Sequence, residues 1–163
     1  MRRTCRAVGV FFACLLTAGS TLAGPVFVKL GDIKGESKDP AHENWIDLLS
    51  WQTGGERREN GRGCAAQPPG QLHITKLVDS TTPEIVRMFS ECDDFREVVL
   101  EAAIPPDPAS TEPGERVMRA RFGGVVIVAV EAGSDSSDDV PTEHLTLTYD
   151  KVEFEIVEVR RRE

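Results

Sequence analysis

Aromatic residues are scarce in this chain: seven Phe, two Trp and one Tyr make up 6% of its 163 residues. Any core therefore rests mainly on Val, Leu and Ile. Histidine is scarcer still. His42, His73 and His144 fall on a loop and two strands, and none has the paired spacing of a metal ligand. The chain carries no nucleophile-elbow glycine pattern, no phosphate-binding loop and no dinucleotide fingerprint. Two acid pairs, Glu36 with Asp39 and Asp93 with Asp94, could pose as general acid and base. Both lie in polar loops, where nothing desolvates a carboxylate. Asp135, Asp138 and Asp139 lack the spacing and the closing Glu of a calcium loop. The expectation is a protein with no catalytic residue, no metal and no cofactor, and so not an enzyme. Positive charge is also in short supply. A formal net charge of -8 argues against nucleic acid and against an anionic membrane surface as partners.

Long apolar runs are missing too. The longest, Ala7 to Thr17, falls short of the roughly 20 residues that a membrane-spanning helix needs. It follows Arg2, Arg3 and Arg6 and precedes the small-residue stretch Thr21-Leu22-Ala23. This is the layout of a secretory signal peptide over residues 1–23, with Gly24 as the new N-terminus; an uncleaved signal anchor is the alternative. Removal takes away three Arg and no acid, so the charge moves from -8 to -11. The chain is then expected to be exported, periplasmic or secreted, with no stable membrane insertion after cleavage. Residues 24–163 fit one domain.

Cysteine is nearly absent from that domain. Cys5 and Cys14 leave with the leader, and Cys64 and Cys92 remain. Two cysteines in an exported chain are a candidate disulfide, worth roughly 3–4 kcal/mol in the chain-entropy picture. Two separate thiols are the alternative.

What remains reads as strands. Val26, Val28 and Leu30 alternate with Phe27 and Lys29. Ile46 and Leu48 alternate with Trp45, Asp47, Leu49 and Trp51. Period-2 alternation marks half-buried strands. The connection between the two runs holds Gly31, Gly35, Asp39-Pro40 and Asn44, and reads as an ordered loop. Thr53 to Gly70 has no apolar period and reads as a long exposed loop; Arg57-Arg58-Glu59 within it reads as a solvated face. Leu72 to Val78 alternates again, with Leu72, Ile74 and Val78 on one face. Thr81 or Thr82 can cap a helix with Pro83 at the first helical position. Ile85, Met88, Phe89 and Cys92 give that helix one apolar face of about three turns. Phe95 to Ala103 is the next strand. Prolines at 105, 106, 108 and 113 mark a loop. Val117 to Phe122 alternates, Gly123-Gly124 suggests a bulge or bend, and Val125 to Val130 reads as a strand buried on both faces. His144 to Val159 alternates with a shift at Asp150: Leu145, Leu147 and Tyr149 point inward, then Val152, Phe154 and Ile156 oppose Lys151, Glu153 and Glu155. Seven to eight strands and one short helix predict an all-β fold, a sandwich or small barrel of two packed sheets.

The stretch Val26 to Trp51 resembles the haemolysin-coregulated protein (Hcp) family, the tube proteins of type VI secretion. The matching residues are Lys29-Leu30-Gly31-Asp32-Ile33-Lys34-Gly35-Glu36-Ser37, then Asp39, His42 and Ile46-Asp47-Leu48-Leu49-Ser50-Trp51. Leu72, Ile74-Thr75-Lys76 and Asp79-Ser80-Thr81-Thr82-Pro83 resemble the family's next strand and helix entry. Pro141-Thr142-Glu143, Leu145-Thr146-Leu147 and Val152 look like its late strand pair. The resemblance implies a barrel of two sheets with a helix at one end, and bonding of His42 within the first loop. It also implies six subunits in a ring, rings stacked into a tube, and effector or secretion-apparatus proteins as partners. Three features depart from it: the leader, an early stop after Val159 that leaves a sheet edge open, and acidic, Pro-rich middle strands. The leader points to a second class of function. An exported binding module could keep the barrel and stand outside the tube.

Overall fold

The computed structural model describes residues 24–55, 70–105, 115–134 and 140–159. Alternating apolar side chains become strands where expected. They are β1 (Val26–Leu30), β2 (Ile46–Leu48), β3 (Ser50–Gly54), β4 (Gly70–Leu77), β5 (Asp94–Ile104), β6 (Glu115–Gly133), β7 (Thr142–Tyr149) and β8 (Lys151–Val159), with one helix, α1 (Thr82–Glu91), between β4 and β5. The architecture is all-β with one short helix. All the pairings are antiparallel.

The strands join in the order β2-β1-β5-β6-β7-β4-β3, with β8 also paired to β6. The ends of this order, β2 and β3, are consecutive in the chain and meet at Leu49. The Leu49 N–H bonds across to the Thr75 carbonyl of β4 at 2.8 Å. A single kinked run thus closes the sheet, pairing with β1 before Leu49 and with β4 after it. The kink corrects two expectations. Trp51 was placed opposite Ile46, but past Leu49 it packs against the core. The exposed loop expected from Thr53 begins later, because β3 runs through Gly54. Cys64, the Arg57-Arg58-Glu59 cluster and Asp135, Asp138 and Asp139 lie outside the described residues.

β6 is the spine. β5 flanks one side of it, and β7 and β8 share the other. β7 and β8 keep one register along β6: Val126 faces Thr148 and Gly123 faces Lys151. They are one long strand broken at Asp150, whose N–H bonds to the Gly123 carbonyl at 3.1 Å. At the expected Gly123-Gly124 position the backbone turns through Gly124 at φ +62°, and a separate register shift falls between Ile127 and Ala129. Val125 and Ile127 are buried but Val128 is 46% exposed, so this run alternates and is not buried on both faces.

Inside the barrel lie Val28 and Leu30 of β1, Leu72 and Ile74 of β4, Leu100 of β5, Phe122 of β6 and Leu147 of β7. Each such side chain stabilises the fold by about 1.5–3 kcal/mol when fully buried. α1 sends Ile85 into this core, with Met88 half-buried beside it. Phe89 and Cys92 were expected on the same face, yet Phe89 is 38% exposed and Cys92 is exposed. The helix turns out into its C-cap there, with Cys92 in the left-handed region. Neither threonine caps it with a side chain. Thr81 stands at the N-cap without a side-chain cap bond, because its hydroxyl bonds to Asp79.

Candidate functional site

The first loop, Gly31 to Trp45, is ordered by its own backbone. The Gly35 and Ser37 N–H groups donate to the Asn44 and Trp45 carbonyls, each at 2.9 Å. Gly31 turns with φ +52° and donates to the Glu97 carbonyl at 3.2 Å. Gly35 lies so close to Trp45 that any Cβ would collide with the Trp45 carbonyl. Ser37 is buried and accepts from the Asp39 N–H. Glu36 accepts from the Ser80 N–H at 3.3 Å, tying the loop to the entry of α1. The rest of the signature divides by side. Ile46 is buried, Asp32, Asp47 and Ser50 are exposed, and Trp51 is half-buried.

His42 fastens this loop to the sheet. Its Nδ1 is 2.8 Å from Asp39 Oδ1 and its Nε2 is 2.9 Å from Glu101 Oε2 on β5. The ring stacks on Phe27 of β1 at 4.0 Å and meets Trp45 edge-on at 5.0 Å. His42 therefore bonds beyond its own loop as well as within it. The hydrogen bond from His42 holds the Asp39 carboxyl below its usual range. Burial works against the Glu101 carboxylate, but bonds from His42 and Arg119 outweigh it and hold its pKa low. From Glu101 the charges run on across the sheet. Arg119 of β6 donates to Glu101 at 2.6 Å and to Glu155 of β8 at 3.2 Å, and Arg121 reaches Glu155 at 3.1 Å. Glu101, Arg119 and Glu155 are directly opposite one another in the ladder, where opposite charges attract. Beside this row opens a recess of about 1200 Å³ between β1, β5, β6, the first loop and α1. Six basic and five acidic side chains line it, so it selects neither sign.

A second polar cluster is buried outright. Lys76 of β4 and Glu143 of β7 are paired across the ladder, and neither is exposed. The Lys76 ammonium also donates to Asp79 at 2.9 Å and to the Leu77 carbonyl at 2.8 Å. Thr82 donates to Glu143 Oε2 at 2.8 Å. Glu143 Oε1 has no partner among the described residues. Burial raises the Asp79 carboxyl, but bonds from Thr81 and Lys76 prevail and hold it low. This cluster locks α1 to the sheet. Sequence reading missed it, although Lys76 on the same alternating face as Leu72 and Ile74 was a signal.

The acid pairs considered for catalysis do not come together as pairs. Glu36 faces Ser80, Asp39 faces His42, and Asp93 meets Arg87 at 3.3 Å. His73 and His144 bond to the threonines Thr146 and Thr75 across β4 and β7. No group of three or more His, Cys, Asp or Glu among the described residues could hold a metal. No described helix is long and apolar enough to cross a membrane.

The exposed chemistry lies instead at strand edges. β8 pairs only with β6, so its far side is open among the described residues. Val152, Phe154 and Ile156 stand opposite Phe122, Ala120 and Met118 on the core-facing side of that sheet. Val152 packs against the core, but the barrel does not reach far enough to cover the other two: Phe154 is 52% and Ile156 65% exposed. The expected inward face of this strand is present, but it overhangs.

These features define a small antiparallel barrel with one helix, a rigidly bonded first loop and an uncovered apolar edge. Residues 27–156 match the family described as type VI secretion system effector, Hcp, and the chain belongs to that family. Protein hcp1 of Pseudomonas aeruginosa is 28% identical over 139 residues, covering 82% of this chain and 83% of the relative. Among solved structures, the Hcp1 protein of E. coli EAEC 042 superposes with a TM-score of 0.66 at 17% identity, over 84% of this chain and 99% of that one. A chain of an extracellular contractile injection system, in a sheath-tube complex, gives 0.51 at 14% identity, over 81% and 88%. At these identities the two structures establish the fold.

Proposed function

We propose that this chain is a ring-forming subunit of a type VI secretion tube, with six copies per ring and rings stacked end to end. Its role in this reading is structural, with no chemical step. The observation that carries it is the edge of β8, where Phe154 and Ile156 lie uncovered on a strand with one free side among the described residues. An edge of that kind is a ready template for another chain. Family membership makes further copies the natural occupants, with effector or secretion-apparatus proteins as later partners. A chain of a sheath-tube complex shares the fold.

The leader at residues 1–23 supports a second reading, an exported monomer that binds a partner outside any tube. In this second reading the leader is removed at Gly24 and the product is periplasmic or secreted, with Cys64 and Cys92 either paired as a disulfide or left as two thiols. Light scattering on residues 24–163, made in the periplasm and kept free of reductant, separates the two. A mass near six subunits, with open rings in negative stain, supports the tube subunit. A monomer at every concentration overturns it and leaves the exported binding module.

A further inference from the structure

Four strands, β1, β5, β6 and β8, lie side by side, and their core-facing residues line up in rows. One row is Val28, Leu100, Ala120 and Phe154. Its first three members are fully buried, whereas Phe154 is 52% exposed. The next row is Val26, Ala102, Met118 and Ile156. Val26, Ala102 and Met118 pack in or against the core, whereas Ile156 is 65% exposed. Both rows lose their cover only at β8. Lone exposed apolar residues are ordinary. These two are neighbours on one face of one strand, which marks a surface that something covers.

Residues 1–23 end beside this surface. The Pro25 carbonyl still accepts from the Ala103 N–H of β5 at 3.1 Å, and Gly24 lies against Ala103. The described chain therefore starts at the Ile156 end of the layer, three strands from β8. Strands stand about 4.8 Å apart, so the distance to cross is about 14 Å. Residues 18–23 can extend over about 20 Å. That brings the apolar run Ala7 to Thr17 within reach of Phe154 and Ile156. The two surfaces match in charge as well. Arg2, Arg3 and Arg6 are the only charged side chains of residues 1–23. β8 carries Glu153, Glu155 and Glu158 against a single Lys151. By the two-residue period Glu158 follows Ile156 on the same face.

We infer that, while residues 1–23 remain attached, Ala7 to Thr17 packs on Phe154 and Ile156 and closes the β8 edge to other chains. Loss of the segment uncovers the edge. The contact lies within one chain and goes beyond the proposed assembly, so it stands or falls whether or not residues 24–163 form rings.

Thiol accessibility tests it. Ile156→Cys is placed in residues 24–163 and in residues 1–163, the longer chain synthesised without membranes so that the leader stays on. Alkylation by N-ethylmaleimide after reduction and desalting is followed peptide by peptide in a mass spectrometer. Val128→Cys on β6, where the native side chain is 46% exposed, is the control. Phe154→Cys is the second probe, should Ile156→Cys fail to fold by circular dichroism. The thiol at position 156 should react at least about tenfold more slowly in the longer chain, at every protein concentration. The thiol at position 128 should react equally fast in both. Phe11→Ser with Leu15→Ser in the longer chain should restore the fast rate at position 156. Equal rates at position 156 in the two lengths overturn the inference, as does a slow rate that survives Phe11→Ser with Leu15→Ser. Slowing that grows with protein concentration overturns it too, and makes a second copy the cover. Equal slowing at positions 128 and 156 is general aggregation and also overturns it.

Discussion

The Lys76 ammonium lies 3.0 Å from the Glu143 carboxylate, and neither side chain reaches solvent. The pair bridges β4 and β7 and extends through Asp79 and Thr82 to the start of α1. Charges this deep tolerate poorly the loss of one partner, because the other is left buried and uncompensated. Lys76→Met should destabilise the fold by about 3–5 kcal/mol, read as a lower urea midpoint. Lys76→Met combined with Glu143→Gln should recover part of that loss. A single variant as stable as wild type would show that the cluster is dispensable.

The two loop glycines should respond differently to Ala. At Gly35 the added carbon meets backbone, the Trp45 carbonyl, which cannot rotate away. At Gly31 the nearest atom is Phe95 Cδ1 at 3.1 Å, and the main cost is φ +52°, roughly 1–2 kcal/mol for a residue with a Cβ. Gly35→Ala should therefore cost more than Gly31→Ala in matched urea melts. Equal losses would mean that the loop shifts freely around Trp45.

Alternation made most of the strands legible. Leu145, Leu147 and Tyr149 are buried in β7 as their spacing required, and Pro83 fell in the first turn of α1. The first loop was legible through its glycines and Asn44. Periodicity assigns a face, however, and cannot say whether anything covers it. Val152, Phe154 and Ile156 repeat like a core strand, but among the described residues β8 is the end of its sheet, so only Val152 meets the core while Phe154 and Ile156 overhang. Leu49 looked like one more alternating position and proved to be the corner where the barrel closes. The partners Lys76 and Glu143 are 67 residues apart in sequence, and those of His42 and Glu101 are 59 apart. Local spacing puts Lys76 on the buried face of β4 but cannot name a partner so far along the chain.

Acid should loosen the protein through two carboxylates. Asp79 and Glu101 are both held below their ordinary values in the fold. A depressed carboxylate contributes stability that is present above its unfolded pKa, about 4, and is lost as pH falls through the folded value. The urea midpoint should hold from pH 7 down to about 5 and drop below about pH 4. Glu101→Gln should lower the midpoint at pH 7 and flatten the fall below pH 4. An unchanged acid limb in that variant would place the sensitivity elsewhere.

His42 joins the first loop to two strands at once. It reaches Asp39 in the loop, Glu101 on β5 and Phe27 on β1, with Trp45 at its edge. Gln in its place can keep one polar bond but loses the stack on Phe27 and one of the two carboxylates. The loop keeps its backbone bonds, such as Ser37 to Trp45, so it should loosen locally and not unfold the barrel. In His42→Gln the amides of Gly35, Ser37 and Trp45 should exchange with deuterium at least about tenfold faster, a local loss of roughly 1.4 kcal/mol. Amides in the middle of β4 and β7 should keep wild-type protection. Uniform acceleration across β4 and β7 would instead make His42 part of the global fold. No change at Gly35 or Ser37 would mean that backbone bonds alone hold the loop.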